Sequence, residues 1–103
     1  MNLAIRTSAA VVILLAALSP IAASAYTGQR LEKNAKVKMD QAVAIATGAR
    51  PGKITDRELE RERGGSGLRY SFDINANGVT YEIGVDAMTG KVLQNGPEGP
   101  NPD

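Results

Sequence analysis

Between residues 68 and 85 the chain alternates. Leu68, Tyr70, Phe72 and Ile74 are separated by Arg69, Ser71 and Asp73, and Val79, Tyr81, Ile83 and Val85 by Thr80, Glu82 and Gly84. A period of two puts each apolar set on one side of a strand, so the segment predicts two half-buried strands. Between them stands Asn75-Ala76-Asn77-Gly78, whose Asn-Gly pair tolerates the successive positive φ angles of a tight hairpin turn. With Ala76-Asn77 as the loop Ile74 faces Val79; with Asn77-Gly78 it faces Tyr81. Both registers keep the apolar sides together. Upstream, Met39, Ala42, Val43, Ala46 and Ala49 recur at spacings of three and four, with Ile45 at the edge of the stripe, which is the period of a short amphipathic helix. Gly48 can take a left-handed terminating conformation and Pro51-Gly52 prevents continuation, so the helix is expected over 39–47.

Residues 53–63 carry Asp56-Arg57-Glu58-Leu59-Glu60-Arg61-Glu62-Arg63, which would suit a solvated helix almost as well as a strand. Context selects the strand, because Gly64-Gly65-Ser66-Gly67 makes a hairpin connection and the strand beginning at Leu68 needs a neighbour. Asp56, Glu58, Glu60 and Glu62 then share one face, and Arg57, Leu59, Arg61 and Arg63 the other. Ile54 and Leu59 fall on opposite faces in strict alternation, so a bulge is expected between them if both reach the core. The charges protect an edge strand from pairing with another molecule, the reading preferred to a dedicated binding stripe. After Val85, the run Asp86-Ala87-Met88-Thr89-Gly90 predicts a turn leading into a short strand at 91–94, with Val92 and Leu93 as its apolar content. Residues 26–37 read as a polar, basic arm, and 96–103, rich in proline and glycine, as a disordered tail. The fold class is therefore α+β: one N-terminal helix covers the apolar face of a four-stranded antiparallel sheet, in two layers. Its expected core is Val43, Leu59, Tyr70, Phe72, Ile74, Tyr81, Ile83 and Val85.

The first 25 residues change the length available for that fold. Arg6 precedes an uncharged run, residues 9–18, and Ser19-Pro20 breaks it ahead of the small-residue site Ala23-Ser24-Ala25. The run is well short of the roughly 20 apolar residues that span a bilayer, so a signal peptide cleaved after Ala25 is expected, and with it a periplasmic or secreted product. Subtracting those 25 from 103 leaves 78 residues, and the loss of Arg6 balances 11 basic against 11 acidic groups. A neutral product has no long-range attraction to nucleic acid or an anionic membrane.

The order of residues in the folded part resembles a PepSY domain. An Ala-rich helix (Asp40-Gln41-Ala42-Val43-Ala44-Ile45-Ala46) is followed by a charged strand centred on Leu59 and by Tyr70-x-Phe72. Asn77-Gly78-x-x-Tyr81-Glu82-Ile83-x-Val85-Asp86-Ala87-x-Thr89-Gly90-Lys91-Val92-Leu93 completes it. The resemblance spans about 38–95, and Asn77, Gly78, Tyr81, Asp86, Thr89 and Gly90 carry its turns. It implies a curved, cystatin-like sheet packed on a helix and a protein or peptide partner. It further implies a role in restraining a peptidase, here in trans, because these 103 residues contain no protease sequence.

Histidine and cysteine are both absent, which removes the commonest general base, the usual zinc ligands and a thiolate nucleophile together. Carboxylates alternating with arginines are held ionised and make poor acids. No enzyme and no cofactor are expected. Asp73-x-Asn75-x-Asn77-Gly78 matches the first half of a calcium loop, but position twelve, which should be Glu, is Gly84, so these three residues are a weak metal candidate at best. The sequence thus describes a non-enzymatic exported binding module that contacts its partner through an exposed sheet face or by strand addition at an edge, with Arg57, Leu59 and Arg61 at the candidate edge. A passive envelope accessory or stress protein, or a weak calcium or ligand sensor, are the alternatives.

Overall fold

The computed structural model describes residues 25–99, so residues 1–24 of the expected leader and residues 100–103 of the tail lie outside it. A 3₁₀ segment, Gln29–Asn34, precedes helix α1, Met39–Ala49, and four strands follow: β1 Lys53–Arg61, β2 Leu68–Ala76, β3 Val79–Asp86 and β4 Val92–Pro97. The strands pair antiparallel in chain order, and α1 packs on one face of the sheet they form. Buried between the layers are Leu59, Leu68, Tyr70, Phe72, Ile74, Ile83 and Val85 from the sheet with Met39, Ala42 and Ala46 from the helix. Small residues on α1 let it lie close to the rings of Tyr70 and Phe72. Val43 and Tyr81 are only partly buried and flank this core.

The hairpin register is the one with Asn77-Gly78 as its loop. Ala76 pairs with Val79 and Ile74 with Tyr81, and the two loop residues have φ of 54° and 80°. Positive φ at both positions gives the turn a twist matching that of its strands. The expected bulge falls at Thr55, since Ile54 pairs with Ile74 but Asp56 with Asp73.

Three boundaries differ from expectation. Residues 26–37 are not a loose arm: Tyr26, Leu31, Ala35 and Val37 pack against the core, and the Lys36 and Val37 N–H groups donate to the Ala87 carbonyl. Their apolar positions follow neither helix nor strand period, which hid them. Helix α1 continues through Gly48 to Ala49. It ends because Arg50 is extended, as the residue before a proline prefers, and not because Gly48 turns left-handed.

Finally, Gly96 and Pro97 are not part of a disordered tail. With Asn95 they extend β4 along Ile83, Glu82 and Tyr81, and the Glu98 N–H donates to the Thr80 carbonyl at 2.9 Å. Asn95 also closes the helix: its amide donates to the Ala49 carbonyl at 3.3 Å and its oxygen accepts from Arg50 Nε at 3.1 Å. Arg50 in turn lies 3.9 Å over the Tyr81 ring. An orphan C-terminal carbonyl thus finds a donor in a segment whose composition reads as linker.

The N-terminal residues are clamped at one tight point. Gly28 has φ of 83°, and a Cβ there would sit 1.8 Å from the Leu59 carbonyl oxygen. Gly28→Ala is expected to cost about 1–3 kcal/mol and to release this segment, read as lower urea stability together with faster hydrogen exchange at the Leu59 amide.

Candidate partner-binding face

The sheet face opposite α1 is assembled from the positions between the core residues. Asp56, Glu58 and Glu60 come from β1, Ser71 and Asp73 from β2, Glu82 from β3 and Gln94 from β4, with Glu62 and Glu98 just beyond strand ends. Together they line an open cleft of about 160 Å³. Registry decides what stands beside what: Asp73 is the direct neighbour of Asp56 on one side and of Glu82 on the other, so three carboxylates run in a row across three strands. Carboxylate oxygens of Asp73, Glu82 and Glu98 lie within 4.8 Å of one another. Burial, then the charges of Asp56 and Glu82, push the Asp73 carboxyl above its ordinary value. Like charges directly opposite each other destabilise a sheet, so this row costs folding free energy.

Neutral donors temper the rest of the face. Ser71 Oγ donates to Glu60 at 2.8 Å and Gln94 Nε2 to Glu82 at 3.1 Å. At one end Arg69 lies flat over Gly84, where a Cβ would come within 3.0 Å of its side chain, and reaches Glu62 and the Arg63 carbonyl at 3.1 and 3.0 Å. The arginine is 8% exposed, so its positive charge is used within the fold and the solvent side stays acidic.

Both sheet edges are partly closed. On β1 the Leu59 N–H donates to Thr27, which bridges parallel to Glu58, and the Leu59 side chain is in the core. Leu59 therefore cannot serve as the partner edge expected from sequence, because Thr27 already takes its N–H. Arg57 lies 5.3 Å over the Tyr26 ring, and Arg61 ends the strand. On β4 the Glu98 N–H points toward β3, so by alternation the nitrogens of Asn95 and Pro97 face outward, and a proline there presents no N–H to an incoming strand.

The turn residues divide by task. Asn77 and Gly78 form the β2–β3 loop, and Asn75 Oδ1 accepts the Gly78 N–H at 3.2 Å. Of the weak metal candidates, Asp73 gathers with Glu82 and Glu98 across the sheet, while Asn75 and Asn77 belong to the turn. Asp86 is 1% exposed and accepts from Ser66 N (2.6 Å), Ser66 Oγ (2.9 Å), Met88 N (2.8 Å) and Thr89 N (3.1 Å). Burial alone would raise its pKa, but these donors hold it at about 2. Thr89 and Gly90 complete the same turn, with the Gly90 N–H on the Asp86 carbonyl and its φ at 79°.

A helix laid across a four-stranded antiparallel meander, with a buried aspartate tying two loops and an open acidic face, defines a small α+β binding domain and offers no catalytic constellation among its described residues. The family model for the PepSY domain, described as peptidase propeptide and YPEB domain, matches residues 36–94. The chain belongs to the PepSY family. No curated protein and no solved structure matches it significantly.

Proposed function

We propose that this chain is an exported, non-enzymatic binding module that regulates a peptidase in trans through its open acidic face, the partner presenting a basic surface. The observation that carries this reading is the row Asp56, Asp73 and Glu82, an arrangement that lowers stability and has no function inside the fold. Positions that break a local folding rule are where function is expected. The family description, which names peptidase propeptides, supports a peptidase as the class of partner. Partly closed edges favour the face over strand addition.

The test is the triple variant Asp56→Asn, Asp73→Asn, Glu82→Gln. It is expected to melt a few degrees higher, about 0.5–1 kcal/mol more stable, because like-charge repulsion is removed. The same variant should lose the crosslinked partner that the parent captures from an envelope extract, and the parent's capture should weaken with salt. A variant that melts lower, or that retains its partner at any salt concentration, would remove the reading. The sign with pH follows for Asp73: its folded pKa lies above the ordinary value, so protonation favours the folded state. Stability from this group rises as pH falls through that raised pKa, and Asp73→Asn should abolish the rise.

A further inference from the structure

The chain holds two Asn-Gly pairs, Asn77-Gly78 and Asn95-Gly96. Such a pair carries both reactants of a covalent change: the glycine nitrogen can attack the asparagine Cγ, and with no Cβ on the glycine little shields that nitrogen. The fold treats the two pairs differently. Asn95 is pinned through both ends of its side chain, the amide donating to the Ala49 carbonyl at 3.3 Å and the oxygen accepting from Arg50 Nε at 3.1 Å. Gly96 pairs with Glu82 inside the ladder, and by the alternation that turns the Glu98 N–H toward β3 its own N–H faces β3 as well. Asn77 and Gly78 are instead exposed at the tip of the β2–β3 hairpin, and a Cβ at Gly78 would meet nothing within 4 Å. Among the described residues no hydrogen bond holds the Asn77 side chain. One bond restrains the nitrogen there, from Gly78 to Asn75 Oδ1 at 3.2 Å.

We infer that Asn77 is a site of spontaneous covalent modification, deamidation through a succinimide, and that the tertiary structure spares Asn95. In the first step the Gly78 nitrogen bonds to Asn77 Cγ and the Cγ–Nδ2 bond breaks. The N–H proton passes through solvent to the departing nitrogen, which leaves as ammonia. Water then opens the ring at either carbonyl and leaves aspartate or isoaspartate. The product carries an added negative charge, and its isoaspartyl form an added main-chain carbon in the tight Asn77-Gly78 loop. Loop tips open locally at little cost, whereas Asn95 reacts only after its side-chain bonds and a ladder bond have broken. The inference is independent of the acidic face and of any partner.

The full chain is kept folded in mildly alkaline buffer and a second sample is kept unfolded in guanidinium chloride. Peptides spanning each pair are followed by mass for the exchange of an amide NH2 for OH. In the unfolded sample both pairs should convert at comparable rates, since each presents the same kind of nitrogen. In the folded protein the Asn77 peptide should convert about ten-fold faster than the Asn95 peptide, the ratio set by the further hydrogen bonds that Asn95 and Gly96 must break first. A folded ratio no greater than the unfolded one, or an Asn77 peptide that stays unchanged in the folded protein while the unfolded sample converts, would overturn the inference.

Discussion

Asp86→Ala should be the most damaging single change on the polar side of the fold, costing about 3–5 kcal/mol in urea or thermal unfolding. The carboxylate accepts four hydrogen bonds in a site from which water is excluded, two from Ser66 in the β1–β2 loop and two from Met88 and Thr89 in the turn after β3. Hydrogen bonds to a charged group contribute about 1.5–3 kcal/mol each, and removing the acceptor leaves buried donors without partners. The loop is shaped for this contact: a Cβ at Gly65 would sit 2.2 Å from Asp86 Oδ2. The parent protein should show the same dependence in acid. The folded pKa is about 2 and the ordinary value 3.8, so the stabilisation is complete above the ordinary value and is lost as pH falls from about 4 through 2, amounting to about 2 kcal/mol. A stability profile measured from pH 5 to pH 1.5 should show this slope, and Asp86→Asn should flatten it. An alanine variant within 1 kcal/mol of the parent would show that the two loops are held by something else.

Tyr70→Ala is expected to cost about 3–5 kcal/mol, and Tyr70→Phe about 1–2 kcal/mol. The ring is fully buried in β2, and its hydroxyl donates to the Val37 carbonyl at 2.6 Å. That bond fastens the residues ahead of α1 to the sheet they cover. Burial, with the nearby charges of Glu32 and Asp40, raises the phenol pKa, so it stays protonated and donating through the neutral range. Domains of this size have only about 4–11 kcal/mol of stability, so the alanine variant should be largely unfolded in modest denaturant while the phenylalanine variant keeps the fold. Equal losses for the two would show that the hydroxyl, and not the ring, carries the effect.

The strands and the helix were legible because each buries one face and so obeys a simple period. Leu68, Tyr70, Phe72 and Ile74 all fall inward, as do Ile83 and Val85. The Asn77-Gly78 turn and the bulge after Ile54 were equally readable, because each follows from a local constraint on φ or on alternation. Asn95, by contrast, carried no local signal. Its value lies in reaching Ala49 and Arg50, more than forty residues away in the chain. Leu31, Ala35 and Val37 were missed for a related reason, since they pack from a 3₁₀ segment and its exit, where no regular period marks apolar positions.

The acidic face was half visible. The alternating carboxylates of β1 were evident, but with the loop at Ala76-Asn77 Asp73 would have faced Thr80, and with Asn77-Gly78 it faces Glu82. Sequence by itself determined the two-layer α+β architecture, the family and the absence of histidine and cysteine chemistry, because these depend on residue type and local spacing. Only the tertiary structure decided that Asp56, Asp73 and Glu82 form one row and that Thr27 lies on the β1 edge. Strand pairing joins positions far apart in the chain, and a shift of one residue in register changes every cross-strand neighbour.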